Sequence, residues 1–279
     1  MIGASMNLTD TEVAAAAALA GAEVVRARYG RLHSRIDKGA GDFATDADLA
    51  AEEAILDVIR AARPGDAVHG EEGGRQGVAD AEREWLVDPL CGTLNYATGS
   101  QLVAVNVVLR NGPAAVADPF SGEVFLADGE TARVRSGMPG EERPLAPTAD
   151  TRLVDVNLDP PFPSAPGFRA VDLLAHPGFV ENFRPRVVST TLALAWVAAG
   201  RRAAYVTDGG DLSGSVHFAA GIALCRAAGC VVTGIDGGPV GPVGPVGPGG
   251  SGGSGLVAAA NAGTHELLMS MIGGRGRTG

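Results

Sequence analysis

Asp88 closes the apolar run Trp85-Leu86-Val87 and is followed directly by Pro89. A carboxylate placed in this way is held at the C-terminal edge of a strand, where open α/β sheets bind their ligands. A few residues on, Gly92 and Thr93 open a short helical stretch whose first amides have no partner inside the helix. Those free N–H groups, together with the sign of the helix dipole, suit an anion. Glu71, within Gly70-Glu71-Glu72-Gly73-Gly74, adds a second carboxylate. Two carboxylates beside such an amide nest can hold Mg²⁺ against a phosphate. Asp42, Asp46 and Asp48 form a further acidic cluster, and Cys91 and His217 offer a thiol and an imidazole.

These residues need elements to hold them. Thr9-Asp10-Thr11-Glu12 has the pattern of a capping box, and the Ala-rich run to Tyr29, stopped by Gly30, predicts a long first helix. A second helix is expected over about 47–62, with Leu49, Ile55 and Ile59 at roughly helical spacing and Pro64 beyond its end. Residues 85–87 read as a short buried strand. Residues 101–110 and 121–127 read as later strands, separated by the turn-like Asn111-Gly112-Pro113. Helices are expected over 190–199, over 218–228 and from about Thr264. Strands at 203–207 and 230–233 interleave with them. That alternation predicts an α/β layered architecture.

Two lobes are expected. Residues 1–150 form an N-terminal α+β lobe with the metal and phosphate motifs, and residues 151–279 form a C-terminal α/β lobe. Residues 237–255 repeat Gly-Pro-Val and then turn to Gly and Ser. Such a stretch buries too little apolar surface to offset its ordering entropy, so a mobile surface loop is expected.

Composition narrows the partners. The 279 residues carry 32 acidic against 22 basic side chains, a net charge of −10, which argues against nucleic acid or an anionic membrane as a partner. No apolar run approaches the roughly 20 residues needed to cross a bilayer. Cys91, Cys225 and Cys230 show neither metal-finger nor disulfide spacing, so a reduced cytoplasmic setting is expected, with Cys225 and Cys230 as packing residues. Lys38 is the single lysine beside 21 arginines, and with the abundant Ala and Gly it reads as coding bias in a GC-rich genome.

In order along the chain, the motifs resemble those of the inositol monophosphatase superfamily, the lithium-sensitive Mg²⁺-dependent phosphatases. The family's Trp-x-x-Asp-Pro-x-Asp-Gly-Thr-x-Asn-Phe stands at Trp85 to Tyr96, its Gly-Glu-Glu at Gly70 to Glu72, and its Thr-x-x-Asp at Thr45 to Asp48. Residues 189–200 resemble the Gly-Ser-Ala-Ala helix, and Gly255 to Asn261 with His265 the closing motif. The resemblance implies an α-β-α-β-α layered sandwich, usually dimeric, in which water attacks a phosphate monoester in line. It further implies Glu71 and Asp88 as metal ligands with the Leu90 carbonyl beside them. Thr93 and Asp48 would orient and deprotonate the water, and the Gly92 and Thr93 amides would hold phosphate oxygens.

The departures are concentrated. The second aspartate of the signature is Cys91. The aspartate of the family's Trp-Asp-x-Ala-Ala-Gly is His217, preceded by Val216. Both changes fall on the second metal site, which loses two formal negative charges and gains a soft sulfur and an imidazole. Mg²⁺ prefers oxygen, so a second Mg²⁺ should bind poorly there. On the substrate side, Gly210 stands where an acidic residue is usual, with Asp211 adjacent. Val188 precedes Ser189, and Thr190 and Thr191 replace alanines. A substrate other than myo-inositol phosphate is expected. Three readings follow: a phosphatase whose altered centre takes Mg²⁺ on Glu71 and Asp88, or Zn²⁺, Mn²⁺ or Fe²⁺ on Cys91 and His217; a metal-independent enzyme of specialised metabolism, with Cys91 activated at a helix N-terminus, His217 as base and the Gly92 and Thr93 amides as oxyanion hole; or a binding protein without catalysis.

Overall fold

The computed structural model describes residues 8–31, 34–39, 42–136, 141–158, 168–212, 215–240 and 254–273. A small hairpin, β1 (Arg35–Gly39) with β2 (Asp42–Thr45), stands apart from two sheets. The first sheet has eight strands: β3 (Ala67–Gly70), β4 (Gly74–Gly77), β5 (Glu84–Cys91), β6 (Ala104–Leu109), β7 (Ala114–Ala117), β8 (Val124–Ala127), β9 (Ala132–Arg135) and β10 (Glu142–Pro144). Their order is β10-β9-β8-β7-β6-β5-β3-β4, antiparallel except where β3 runs parallel to β5. The second sheet comprises β11 (Leu153–Asn157), β12 (Arg184–Val187), β13 (Ala204–Asp211), β14 (Val231–Thr233) and β15 (Ser254–Ala259), in the order β12-β11-β13-β15-β14.

Helices fill the faces. They are α1 (Asp10–Arg28), α2 (Asp46–Ala62), α3 (Thr93–Ala97), α4 (Val171–Leu174), α5 (Pro177–Asn182), α6 (Leu192–Ala198), α7 (Ala219–Ala227) and α8 (Ala262–Gly273). One core joins α1 and α2 to Trp85, Val87, Val105 and Val107 on one face of the first sheet. A second core puts Leu86, Ala104 and Val108, from the opposite face, against α6 and α7 and against Tyr205, Leu256 and Ala258 of the second sheet. A third packs Val154, Val206 and Val257 under Leu173, Phe179 and Leu268. The layers are therefore α-β-α-β-α, with α6 and α7 in the middle, as the motifs implied.

Local chemistry explains the starts of the two long helices. The Thr9 hydroxyl accepts the Glu12 amide at 3.3 Å while Glu12 returns to the Thr9 amide at 2.7 Å, the reciprocal cap read from the sequence. Thr45 and Asp48 repeat that device at α2. Trp85 is fully buried and gives its indole N–H to Asp66 at 2.8 Å, so both its apolar body and its polar edge are satisfied.

Several expectations need correction. The strand expected over 85–87 runs on through Asp88 to Cys91, because an irregular register between Asp88 and Cys91 accommodates Pro89, which has no N–H to give the ladder. Leu49 is 43% exposed and lies off the apolar face of α2. Short strands such as the exposed β10 and β12 were invisible to hydrophobic alternation. Within 237–255, Pro239 bridges back to Thr233 and residues 254–255 belong to β15, so both ends of the expected loop are ordered. Its middle, 241–253, lies outside the described residues.

Candidate active site

The site gathers where β5, the turn after β3, the start of α2 and the turns preceding α6 and α7 meet. Asp88 is fully buried. Its Oδ1 accepts the Leu90 amide at 3.1 Å across Pro89, and its Oδ2 lies 2.8 Å from His217 Nδ1. Glu71 follows β3; its amide continues the pairing to the Val87 carbonyl at 3.0 Å, and its Oε2 lies 3.8 Å from His217 Nδ1. The turn beneath it is held by Glu52, whose carboxylate accepts the Glu72 and Gly73 amides at 2.8 and 2.7 Å. A Cβ on Gly70 would meet that carboxylate at 2.5 Å, so any larger residue where the Glu-Glu turn begins would displace Glu52 from these amides.

Asp48 faces the site from the first turn of α2. Its Oδ2 accepts the Thr45 amide at 2.8 Å and hydroxyl at 2.5 Å, and its Oδ1 receives Thr93 Oγ1 at 3.0 Å. The same hydroxyl lies 3.1 Å from the Leu90 carbonyl, which brings that oxygen to the site as well. Gly92 caps α3 with φ +101, a conformation natural to glycine. A Cβ there would also fall 3.0 Å from the Leu102 oxygen and 3.2 Å from that of Ser189. Asn95 ties those two carbonyls together, 2.9 Å to each, and so fixes Ser189 beside the turn. Asp211 lies on β13, paired with Ser254, but its side chain is outside the described residues.

Asp88, Cys91 and His217 present an oxygen, a sulfur and a nitrogen that all lie within 4.8 Å of one another. Cys91 Sγ accepts the Thr191 amide at 3.3 Å. Among the described residues no hydrogen bond joins it to His217. The thiol also departs from expectation: burial, with the negative Asp88 beside it, pushes Cys91 well above the usual thiol range. The helix behind it, five residues long, does not reverse that. Burial disfavours a charged His217, but Asp88 and Glu71 overcome it and raise the ring to about 9. Burial also acts on Asp88, yet His217 holds that carboxyl below its ordinary value. Glu71 is pushed up to about 8 by burial and by Asp88. Burial likewise raises Asp48, against the pull of its hydrogen bonds to Thr45 and Thr93.

Two participants escaped the sequence reading. Lys38 on β1 puts Nζ 2.9 Å from Glu71 Oε1 and 2.7 Å from Glu72 Oε1. Its signal was its rarity: a lone lysine among 21 arginines is a residue for which the default replacement was not taken. Asn106 on β6 is the other, a buried carboxamide against Asp88 and Thr191. A polar residue inside the apolar stretch Val103 to Leu109 was its signal. Cys225 and Cys230 are buried packing residues, as expected.

A five-layer sandwich with its acidic residues clustered at the end of β5 is the architecture of a superfamily of phosphatases, and this chain is an enzyme of that class. More narrowly, it belongs to the inositol monophosphatase family, whose sequence profile matches residues 6–273. It is 32% identical over 285 residues to the inositol-1-monophosphatase ImpA of Mycolicibacterium smegmatis, covering 97% of this chain and 95% of that one. It is 32% identical over 215 residues to the inositol-1-monophosphatase of Caulobacter vibrioides, covering 71% and 78%. The crystal structure of the extragenic suppressor protein suhB from Bartonella henselae has the same fold, with a TM-score of 0.76, 24% identity, and 94% and 97% of the chains covered. No helix among the described residues is long and apolar enough to cross a membrane.

Proposed function

We propose that this protein hydrolyses a small phosphorylated metabolite other than myo-inositol phosphate, at a metal centre in which Cys91 and His217 replace two aspartates. The convergence of Asp88, Cys91 and His217 within 4.8 Å carries this reading. A carboxylate, a thiol and an imidazole form a donor set that suits Zn²⁺, with Mn²⁺ less favoured by the sulfur. Glu71, Asp88 and the Leu90 carbonyl supply the oxygens that Mg²⁺ prefers. When bound, a divalent ion supplies positive charge for the developing phosphoryl charge and activates water.

The chain's own groups complete the chemistry. Thr93 orients the attacking water and takes its proton, passing its own to Asp48, while the water oxygen bonds to phosphorus, the ester P–O bond breaks, and the departing alkoxide takes a proton from solvent to leave as the alcohol. Burial raises the Asp48 carboxyl and so makes it a better proton acceptor near neutral pH. The Gly92 and Thr93 amides hold the phosphoryl oxygens. Ser189 and Asp211 are the residues assigned to the rest of the substrate, and Gly210 supplies no carboxylate where inositol hydroxyls would be held. The metal-independent reading has less support, since burial and the neighbouring Asp88 disfavour a Cys91 thiolate, and among the described residues no hydrogen bond joins Cys91 to His217. A homodimer, through family resemblance, and a cytoplasmic setting, from the cysteine usage, are part of the proposal.

The test is elemental analysis of the purified protein, with phosphate release measured on a panel of phosphomonoesters under Zn²⁺, Mn²⁺, Mg²⁺ or a chelator. Turnover that requires a divalent ion and vanishes in Asp88→Asn is expected. Turnover that persists in the chelator overturns the reading.

A further inference from the structure

On β6 the side chains facing α6 and α7 are Ala104, Asn106 and Val108, so a carboxamide sits in the middle of an apolar stripe. Asn106 is fully buried, directly across the sheet from Asp88. Its Nδ2 lies 2.8 Å from Thr191 Oγ1, 3.4 Å from Asp88 Oδ2 and 3.4 Å from the His217 carbonyl. Thr191 gives its amide to Cys91 Sγ. One side chain thus reaches, directly or through a single residue, every member of the oxygen, sulfur and nitrogen cluster. The segments it joins are far apart in the chain: β5, the turn before α6 and the turn before α7. Among the described residues its Oδ1 is buried with no hydrogen-bond partner. A buried acceptor left in that state is unfavourable, and an apolar residue would pack there at lower cost.

We propose that Asn106 is a positioning residue for the Asp88–Cys91–His217 centre, with Thr191 as its relay to the sulfur, and that the centre so held takes a thiophilic divalent cation of the Zn²⁺ class. The inference rests on the metal reading given above. Partners around a ligand set its orientation, and their loss typically weakens metal binding by about 10–100-fold. Here the same carboxylate oxygen meets both Asn106 and His217, so the amide sets the angle at which Asp88 faces the imidazole. An N–H from Thr191 to the sulfur favours its anionic form once a cation is present.

The experiment uses the full-length protein, stripped of metal and titrated with Zn²⁺ and then with Co²⁺, whose thiolate charge-transfer band reports a sulfur ligand. The wild type is expected to bind one ion with that band. Asn106→Leu, similar in shape but lacking the donor, is expected to bind about 10–100-fold more weakly with the band shifted or lost, while its melting temperature is retained or raised. Thr191→Val keeps the amide to Cys91 and removes only the hydroxyl that Asn106 uses. It is expected to move in the same direction, and it provides the reading should Asn106→Leu not fold. Unchanged affinity and an unchanged band in these variants overturn the role of Asn106 and leave the metal reading standing. A wild type that shows no thiolate band overturns both.

Discussion

His217 Nδ1 lies 2.8 Å from Asp88 Oδ2, although the two residues are 129 positions apart in the chain. Where the family places aspartate at both Cys91 and His217, carboxylates face one another and need a cation between them. Here an imidazole already answers Asp88 and the Lys38 ammonium answers Glu71, so the chain itself supplies countercharge to the carboxylates. The protein is therefore expected to remain folded in a chelator. Zn²⁺ should raise its melting temperature by mass action alone, equivalent to about 2.7 kcal/mol at one hundred times the dissociation constant. Thermal scans of Cys91→Ser and His217→Ala should show that shift lost; an equal shift in both variants would exclude them as ligands.

Asp48 and Thr93 are expected to govern turnover and not metal content. Asp48→Asn and Thr93→Val should each lower kcat by about 10²–10⁴-fold, the usual worth of a positioned base. Asparagine keeps an acceptor for the Thr45 amide, so the α2 cap should lose no more than about 1 kcal/mol. Metal stoichiometry measured beside kcat separates the two roles, and a fall in both would contradict the assignment.

Gly70→Ala should act through Glu52. The new methyl would stand where the Glu52 carboxylate now holds the Glu72 and Gly73 amides. Overpacking of this kind costs about 1–3 kcal/mol, and the turn carrying Glu71 would be unseated with it. Urea denaturation should give the stability loss, and metal titration should show weaker binding. A variant with wild-type values in both measurements would show that the turn can yield without harm.

Glu123, just before β8, accepts two hydrogen bonds, 2.6 and 2.5 Å long, from Arg201 in the turn between α6 and β13. The guanidinium holds the Glu123 carboxyl below its ordinary range, against burial. A depressed carboxylate adds stability above its unfolded value, near 4.3, and that stability is lost as pH falls through the folded value. The stability gap between wild type and Glu123→Gln should therefore be present at pH 7 and shrink progressively below about pH 4. A gap that does not change with pH would mean the pair acts through packing.

Restoring the family residues together, Cys91→Asp with His217→Asp, should produce Mg²⁺-dependent phosphatase activity sensitive to Li⁺. Asp48, Glu71, Asp88 and Thr93 are already in place for it. Absence of any Mg²⁺ response in a folded double variant would show that the surrounding groups, Asn106 and Thr191 among them, have been refitted beyond simple reversal.

The fold and most of the site were legible because their residues sit in contiguous motifs. Asp88 to Tyr96 spells out a strand end, a bulge and a helix start, and Thr45 to Asp48 spells out a cap. What stayed hidden depends on long-range contact. The orientation of His217 toward Asp88 depends on how α7 docks on the first sheet and α6. The raised Cys91 thiol follows from burial that no local pattern reports. Asn106 and Lys38 looked ordinary because their partners are distant, Thr191 being 85 positions from Asn106 and Glu71 being 33 positions from Lys38. The hairpin β1–β2 escaped for a further reason: Arg35 to Lys38 of β1 are all exposed, so no apolar alternation marks it.

That hairpin leaves the chain with a single side-chain amine, and the amine is seated on Glu71 and Glu72. Reagents that seek primary amines (acylating probes, bifunctional crosslinkers, activated resins) would thus find, beyond an α-amino group, one target only, beside Glu71 at the candidate site. Labelling this protein through lysine is in effect affinity labelling of its working end. Attachment strategies that spare catalysis would have to go through the arginine-rich surface or an added tag.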